Sequence, residues 1–379
     1  MKITIDKTAN NAKLLKLMAD KDSQKALAAR EAFAAFITSP ILEVIESEPV
    51  IGNLFTTWTY DYGTPSSIPL APLFDIKQND FIKVWTQSRP GGLATSSNSD
   101  VSELMVMTYA LQSAVSFPLN YLRAARVDVV AAYLQRMAQE FLYKQEANSF
   151  AVLAAVAAQS QFYYKGVLTN QILRSNTQGR VIPQDLSLLF TLMSRVNSSW
   201  VGGTPAGASR AITTLVGSPE FHQQIRNMAF EPLNTVSNTY PLGGPQEFRE
   251  DIYKSVGNPS IYGMELINVY DMGQGFPYNI VFSSYANGPT VYQYPNFGQG
   301  IGSTTTSVFS PGSEQLVLGI DKRQDFLARL VETNPDDGST LSVLTDNQWS
   351  VRSEEIGFYA KLREGRVALD GRNVVGLVF

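Results

Sequence analysis

Residues 119 to 165 read LNYLRAARVDVVAAYLQRMAQEFLYKQEANSFAVLAAVAAQSQFYYK, a run without glycine or proline between Pro118 and Gly166. A stretch so free of breakers predicts one very long helix. From Asp128 to Ala158 it would extend roughly 46 Å at 1.5 Å per residue, against the 11 or 12 residues of an average helix. Val130, Leu134, Met137 and Phe141 fall on the i, i+4, i+7, i+11 stripe of a helix with one buried face. On the wetter side, Arg136 with Glu140 and Glu140 with Lys144 are i, i+4 ion pairs, each contributing only about a few tenths of a kcal/mol. The second half is small, with Ala147, Ala151, Ala154, Ala155, Ala157 and Ala158. Small side chains let another backbone come close, as in a packed strut. Gln135, Arg136, Gln139, Glu140, Lys144 and Asn148 exclude a membrane span. Periodicity does not separate a strut from an ordinary core helix of a large domain.

Composition bounds what such a chain can do. Its 379 residues suffice for a large core and more than one substructure. Only 17% of residues are charged and the net charge is −4, so there is no basic footprint for gripping nucleic acid. The same balance suits a protein that covers much of its surface with partners. Cysteine is absent, which removes disulfides, thiolate metal sites and cysteine nucleophiles. The opening MKITIDKTANNAKLLKLM lacks a continuous apolar core with a small-residue cleavage site, so no leader is expected. No run of 18 apolar residues occurs, and a soluble protein made in a cytoplasm is expected.

Outward from the helix, residues 1 to 50 read as amphipathic helices. One carries Leu14, Leu17 and Met18; the other is the Ala26 to Ile37 run, which Ser23 is placed to cap and Ser39-Pro40 to end. Thr56 to Tyr62 and Phe81 to Thr86 have strand composition. Gly63, Pro65, Pro69 and Pro72 lie between them, and Pro90-Gly91-Gly92 follows, as in a two-stranded arm with breaker-rich roots. Such a hairpin is marginal alone and needs something to lie against. Leu104 to Phe117 is again strand-like. Pro183 opens a helix with Leu186, Leu189, Phe190 and Met193, Ala211 to Val216 forms a strand, and Ser218-Pro219-Glu220 caps a helix bearing Phe221, Ile225 and Met228. Ile280 to Ser284 reads as a short strand. Asp321 with Gln324 resembles a capping box opening a helix with Phe326, Leu327, Leu330 and Val331. At the C-terminus Ile356, Phe358, Ala360 and Leu362 alternate with Gly357, Tyr359, Lys361 and Arg363, a strict period of two with one dry face. Glu364-Gly365 and Asp370-Gly371 read as turns, with a last strand from Val374 to Phe379. The class is α+β.

Candidate chemistry is thin. His222, the only histidine, lies on the helix after Ser218, where a surface or half-buried structural role is the ordinary one. Asp336-Asp337-Gly338 lacks the alternating ligands and distal Glu of a calcium loop. Glu354 and Glu355 as strand neighbours point to opposite faces and do not make a glycosidase pair. Gly273-Gln274-Gly275 and Gly298-Gln299-Gly300-Ile301-Gly302 open no helix and precede no Gly-Lys-Ser/Thr, so they are loops rather than phosphate cradles. Phe276, Tyr278, Phe282, Tyr285, Tyr292, Tyr294 and Phe297 could stack on sugars, but such aromatics more often pack on each other or on a subunit. No catalytic, cofactor-binding or metal-binding residue is assigned.

The order of parts, with Gln348-Trp349, Glu355-Ile356-Gly357-Phe358 and Arg363-Glu364-Gly365-Arg366-Val367-Ala368-Leu369-Asp370 at the end, resembles the major capsid protein of tailed bacteriophages, the Hong Kong 97-type fold. The resemblance covers essentially the whole chain. It implies an N-terminal arm at 1–50, an E-loop hairpin at 51–98, a peripheral domain at 99–170 holding the spine helix, an axial domain at 171–344, and a return to the peripheral sheet at 345–379. It also implies a non-enzymatic subunit that self-assembles into pentamers and hexamers of an icosahedral bacteriophage head. That head encloses double-stranded DNA without sequence-specific binding, with portal and scaffolding or decoration proteins as partners and no membrane. The location implied is the virion, assembled in the host cytoplasm. Some members crosslink an E-loop lysine to a neighbour's asparagine; Lys77, Lys83 and Asn373 lie in suitable segments, and the reaction is not assigned. Alternatives are an encapsulin-type compartment shell and, in another class, a carbohydrate-active or sugar-binding protein. No long charged coiled segment precedes the arm, so a fused scaffolding region is expected to be either absent or already removed.

Overall fold

The structure is a computed structural model of the chain and describes residues 9–20, 22–69, 103–164, 167–175, 179–197, 211–230, 260–261, 263–286, 309–322, 326–334, 338–346 and 354–379. It opens with helices α1 (Ala9–Met18) and α2 (Ser23–Ser47), a 3-10 turn at Gly52–Leu54, and strands β1 (Thr56–Asp61), β2 (Ser67–Pro69), β3 (Glu103–Met105) and β4 (Tyr109–Pro118). A short helix α3 (Leu119–Arg123) precedes the 33-residue α4 (Val127–Gln159). Then come β5 (Gln161–Tyr164), β6 (Val167–Asn170), β7 (Ile172–Arg174), α5 (Pro183–Asn197), β8 (Thr214–Gly217), α6 (Pro219–Phe230), β9 (Ser260–Ile261), β10 (Met264–Asn268) and α7 (Pro277–Ala286). Strands β11 (Leu316–Ile320), β12 (Leu327–Thr333), β13 (Leu341–Asp346), β14 (Glu355–Ala368) and β15 (Val374–Val378) close the chain.

Two compact units share these elements, the first made of residues 1–68, 105–149 and 328–367, the second of 69–104, 150–327 and 368–379. In the first, a five-stranded sheet runs β1-β12-β14-β13, with β4 also paired to β14. The helix expected at Asp128 to Ala158 is present, and Val130, Leu134, Met137 and Phe141 are all buried. They pack with Leu111 and Phe117 of β4 and with Ile356, Phe358, Ala360 and Leu362 of β14, the alternation expected of one dry face. Phe358 is the middle of an aromatic group, 5.4 Å from the Phe33 ring and 5.8 Å from that of Phe117.

Several expectations are corrected. Helix α2 does not stop at Ser39-Pro40 but continues to Ser47, and Asp22 rather than Ser23 is its N-cap, accepting from the Gln24 amide at 3.2 Å. A proline in mid-helix costs about 3 kcal/mol or more. Four buried aliphatic side chains beside and beyond it, Ile37, Ile41, Val44 and Ile45, contribute about 1.5–3 kcal/mol each and outweigh that cost. The strand Thr56 to Tyr62 forms as β1, but its partner is β12, in parallel from Thr56 beside Ala328 to Asp61 beside Thr333. Phe81 to Thr86, the expected hairpin partner, lies outside the described residues. The chain that leaves at Ser66 returns at Val106, where the Val106 amide donates to the Ser66 carbonyl and the Ser66 hydroxyl to the Val106 carbonyl, both at 2.8 Å.

The segment 326–331 is strand β12 rather than a helix, with Gln324 outside the described residues. Its apolar pairs Phe326-Leu327 and Leu330-Val331 satisfy helical spacing and equally a strand buried on both faces, which is what forms. Glu364-Gly365 is no turn, because β14 runs straight through it to Ala368. The glycine serves a close approach instead, since a Cβ there would lie 2.9 Å from the Met107 carbonyl oxygen. Strand β12, within the span 171–344, and β13, which begins in it, lie in the five-stranded sheet, whereas β15 leaves the closing segment for the other sheet.

The second unit is built on a six-stranded sheet of order β7-β15-β11-β8-β10-β9. Its central strands β8, β11 and β15 are buried at every residue, and α5 and α6 cover it through Leu186, Leu189, Met193, Phe221 and Ile225. Pro183 and Pro219 open their helices as expected, and the Ser218 hydroxyl accepts from the Phe221 amide at 3.1 Å. Ile280 to Ser284 lies in helix α7, not in a strand. Pro277 takes the first helical position, and the buried Tyr278, Phe282 and Ala286 keep a spacing of four, so a helical face outweighs the strand preference of Ile280 and Val281.

Met137→Ala should therefore lower subunit stability by about 2–5 kcal/mol in urea denaturation. Gln139, exposed on the opposite face, should tolerate alanine with a change within about 0.5 kcal/mol. Gln139→Pro should cost about 3 kcal/mol or more, through the lost i to i−4 bond and a clash with the Gln135 carbonyl.

Candidate functional site

The densest polar constellation in the first unit surrounds Glu364 on β14. The period of two that puts Ile356, Phe358, Ala360 and Leu362 inward also carries Glu364 and Arg366 inward, so a carboxylate and a guanidinium enter an apolar layer. Glu364 is 0% exposed. Arg329 of β12 donates from Nε to Oε2 at 2.9 Å, and Arg366 reaches both oxygens at 3.3 Å through Nε and Nη2. From α4, Gln145 donates to Oε2 at 3.2 Å, and from β4 the Tyr109 hydroxyl donates to Oε1 at 3.1 Å. Arg366 also donates to the Ser149 hydroxyl and stands 5.2 Å over the Phe55 ring. Burial, with the Glu364 charge adding to it, pushes the Tyr109 phenol up to about 12, so it stays a donor at any ordinary pH.

One turn of α4 carries a second carboxylate with a different task. Glu146 accepts from the amides of Val50 and Gly52 at Oε1, at 3.0 and 2.9 Å, and from that of Ile51 at Oε2, at 2.9 Å. Gln145, Glu146 and Ser149 thus bind one helix to β14 and to the turn ahead of β1. Both oxygens of Glu364 are committed to donors, so it has no free lone pair to serve as a general base. The arrangement can hold segments in register; it offers no nucleophile and base aimed at a common point.

Of the residues weighed in the sequence, His222 is buried on α6, with Nε2 3.2 Å from the Ile267 carbonyl. Glu354 is exposed, with φ of 52°, and its carbonyl accepts from the Leu119 amide, while Glu355 begins β14 opposite Pro118. Gly273-Gln274-Gly275 is a loop tied by Gln274 to the Ser313 carbonyl and by the Gly275 amide to that of Pro311. Tyr278 stacks on Phe150 at 4.2 Å and Phe282 meets Phe309 edge-on at 5.0 Å, which commits both rings to packing. Asn373 is buried, its carbonyl accepting from the Asp321 amide. Lys77, Lys83, Tyr292, Tyr294, Phe297, Gly298 to Gly302, Asp336-Asp337 and Gln348-Trp349 lie outside the described residues. Among the described residues no three His, Cys, Asp or Glu side chains converge as a metal site would require. Sequence reasoning missed Glu364, Arg329 and Glu146. The signal for the first was the alternation itself, which continues one step past Leu362 onto a charge.

No protein-family model matches the chain, and no curated protein matches it. Among solved structures it is similar to the capsid of the cyanophage P-SCSP1u, at 12% identity and a TM-score of 0.47, over 86% of either chain. It is similar to the capsid of an empty GTA particle at 11% identity and 0.49, over 88% of this chain and 90% of that one. A third is the holo-SrpI encapsulin complex from Synechococcus elongatus, at 12% and 0.44, over 86% and 85%.

Two outcomes follow from the buried groups. Glu364→Ala strands Arg329 and Arg366 without their carboxylate and should cost about 3–5 kcal/mol. Arg136→Ala, which breaks the exposed 2.5 Å pair with Glu140, should cost at most about 0.5 kcal/mol. Urea midpoints of the two variants give the contrast. For His222, burial and then the Arg226 charge hold the imidazole below its usual pKa, against the Ile267 carbonyl. The unfolded chain then takes up its proton first, near pH 6.5, so this residue's share of stability is full above that pH and falls as the pH drops below it. Thermal midpoints between pH 7.5 and 5.5 should fall less in His222→Gln than in the parent.

Proposed function

We propose that this chain is a shell-forming structural subunit, the major capsid protein of a tailed-phage head, assembling into pentamers and hexamers that enclose double-stranded DNA. The observation that carries the reading is the seating of the 33-residue α4 on the sheet of β4 and β14, in chain order between paired N-terminal helices and a returning C-terminal strand. That order is the one the Hong Kong 97-type resemblance implies. In this reading 1–50 serve as N-terminal arm, 51–98 as E-loop and 99–170 as peripheral domain. The segment 171–344 supplies the axial domain, its strand β12 and the start of β13 joining the spine-helix sheet, and 345–379 close the chain. Portal, scaffolding or decoration proteins are its expected partners.

Surface chemistry supports the same role. Met107 is 93% exposed and Met105, two residues away, 74%, apolar area usable by a subunit covered by copies of itself. The committed state of Glu364 and the packed rings of Tyr278 and Phe282 favour a structural role over hydrolysis or sugar stacking.

Sedimentation and electron microscopy of the purified protein should give closed icosahedral particles with five- and six-fold capsomers. A stable monomer that never forms particles would overturn the reading. Particles from the producing cells should contain DNA; a protein cargo without DNA would make the chain a compartment shell instead.

A further inference from the structure

We propose that Ser175 and Asp185 form a proton-operated latch at the start of α5, in which a proton taken up by Asp185 from solvent turns the Ser175 hydroxyl onto the Arg180 carbonyl. The device lies wholly in the second unit and does not depend on the shell reading. Asp185 is the third residue of α5 and only 2% exposed. Its Oδ2 accepts from the Ile182 amide at 3.1 Å while its own amide donates to the Ile182 carbonyl at 2.9 Å, the acidic half of a capping box over a residue with no side-chain oxygen. Ser175, the residue after β7, is buried, and its Oγ lies 2.7 Å from that same Oδ2 and 3.0 Å from the Arg180 carbonyl oxygen.

A hydroxyl has one hydrogen, and both of these neighbours only accept while Asp185 is ionised. Ser175 then serves the carboxylate, where the bond is charge-assisted, and the Arg180 carbonyl goes without this donor. With Asp185 neutral, the acid O–H donates to Ser175 Oγ and the serine hydrogen turns to Arg180, so both contacts become hydrogen bonds. The Ile182 amide loses its charged acceptor in the exchange, so the proton strengthens the loop at the expense of the cap. Gln224 of α6 holds the loop in both states, accepting from the Val181 amide at 2.8 Å and donating to the Gly179 carbonyl at 3.0 Å. The Arg180 carbonyl, between them, is the group that changes partner.

Among the described residues no charged partner holds this carboxyl in its ionised form. Arg174 is paired with Glu314 and Arg372 with Asp370, while on α6 the Arg226 charge acts on His222. Residues 176–178 are Asn-Thr-Gln and bring no titratable side chain. Neither these charges nor the Arg180 guanidinium shifts Asp185; burial raises its pKa, against the Ser175 and Ile182 bonds that lower it. A raised folded value means that the folded chain holds this proton more tightly than the unfolded one. The resulting stability is full below the ordinary carboxylate value and is lost as pH rises through the folded one.

The test is a pH titration, between pH 4 and 8, of the carbon resonances of the Asp185 carboxyl and the Arg180 carbonyl in the free subunit. Asp185 should titrate above the ordinary value of about 3.9, and the Arg180 carbonyl should shift with the same midpoint. In Asp185→Asn, whose amide donates to Ser175 as the acid does, the Arg180 resonance should keep the parent's low-pH position at every pH. In Ser175→Ala it should lose its step, while the Asp185 midpoint rises for want of a donor to the charged form. An Arg180 carbonyl that does not follow Asp185 in the parent would overturn the proposal, as would a step that persists in Ser175→Ala. A parent midpoint at or below the ordinary value would overturn it too, and the parent titration decides the matter even where a variant fails to fold.

Discussion

Glu364 has no contact with water, and that single desolvation constrains much of the first unit. An ionised carboxylate taken out of water carries a penalty of several kcal/mol unless donors replace its hydration. Here three side chains from three elements, together with Arg366 of its own strand, supply them: Arg329 from β12, Tyr109 from β4 and Gln145 from α4. None of these groups reaches Glu364 if its element slides. A shift of one residue in β4 or β12 sends Tyr109 or Arg329 to the other face, and a rotation of α4 takes Gln145 away. The cluster therefore opposes wrong registers strongly, even though an apolar replacement of equal volume could match its contribution to stability.

The apolar seam beside it does the complementary work. Hydrophobic burial is proportional to area and indifferent to direction, so Val130, Leu134, Met137 and Phe141 bring α4 onto the sheet without deciding where along its length it stops. Direction comes from the polar end of the seam, at Gln145, Glu146 and Ser149. Beyond that turn the helix narrows, and Ala154, Ala157 and Ala158 are buried side chains small enough for close backbone approach within the second unit.

How far the sequence disclosed this follows from the kind of signal each element carries. The long helix was legible because both of its cues, freedom from breakers and a 3.6-residue stripe, agree over some thirty residues. The alternation in β14 was legible for the same reason. Misreadings occurred where two periods fit one string: Phe326 to Val331 satisfies helix and doubly buried strand alike, and Ile280 to Ser284 has strand composition on a helical face. Pro40 misled because a local rule worth about 3 kcal/mol was outweighed by burial on a surface the sequence does not display. The partner of β1 was equally out of reach, since a parallel pairing with β12 links residues more than 270 positions apart. Glu146 gave no sequence signal, because its partners are the backbone amides of Val50, Ile51 and Gly52, of which only the glycine depends on residue type.

Charge scarcity connects these observations to assembly. The chain has few charged residues, and several of them are withdrawn from the surface: Glu364 with its two arginines, Asp370 with Arg372, and Glu314 with Arg174. Each withdrawal sharpens an internal register and at the same time lowers the charge left to keep the subunit apart from its copies. For a monomeric protein that combination favours aggregation, because the exposed area of Met105, Met107 and Tyr270 is not offset by like-charge repulsion. For a subunit whose surface is meant to be covered it is an advantage. The specificity that surface charge would have provided is moved inside, where it sets the geometry of each subunit, and a rigid subunit geometry is what turns non-directional apolar contact into closure at a defined angle.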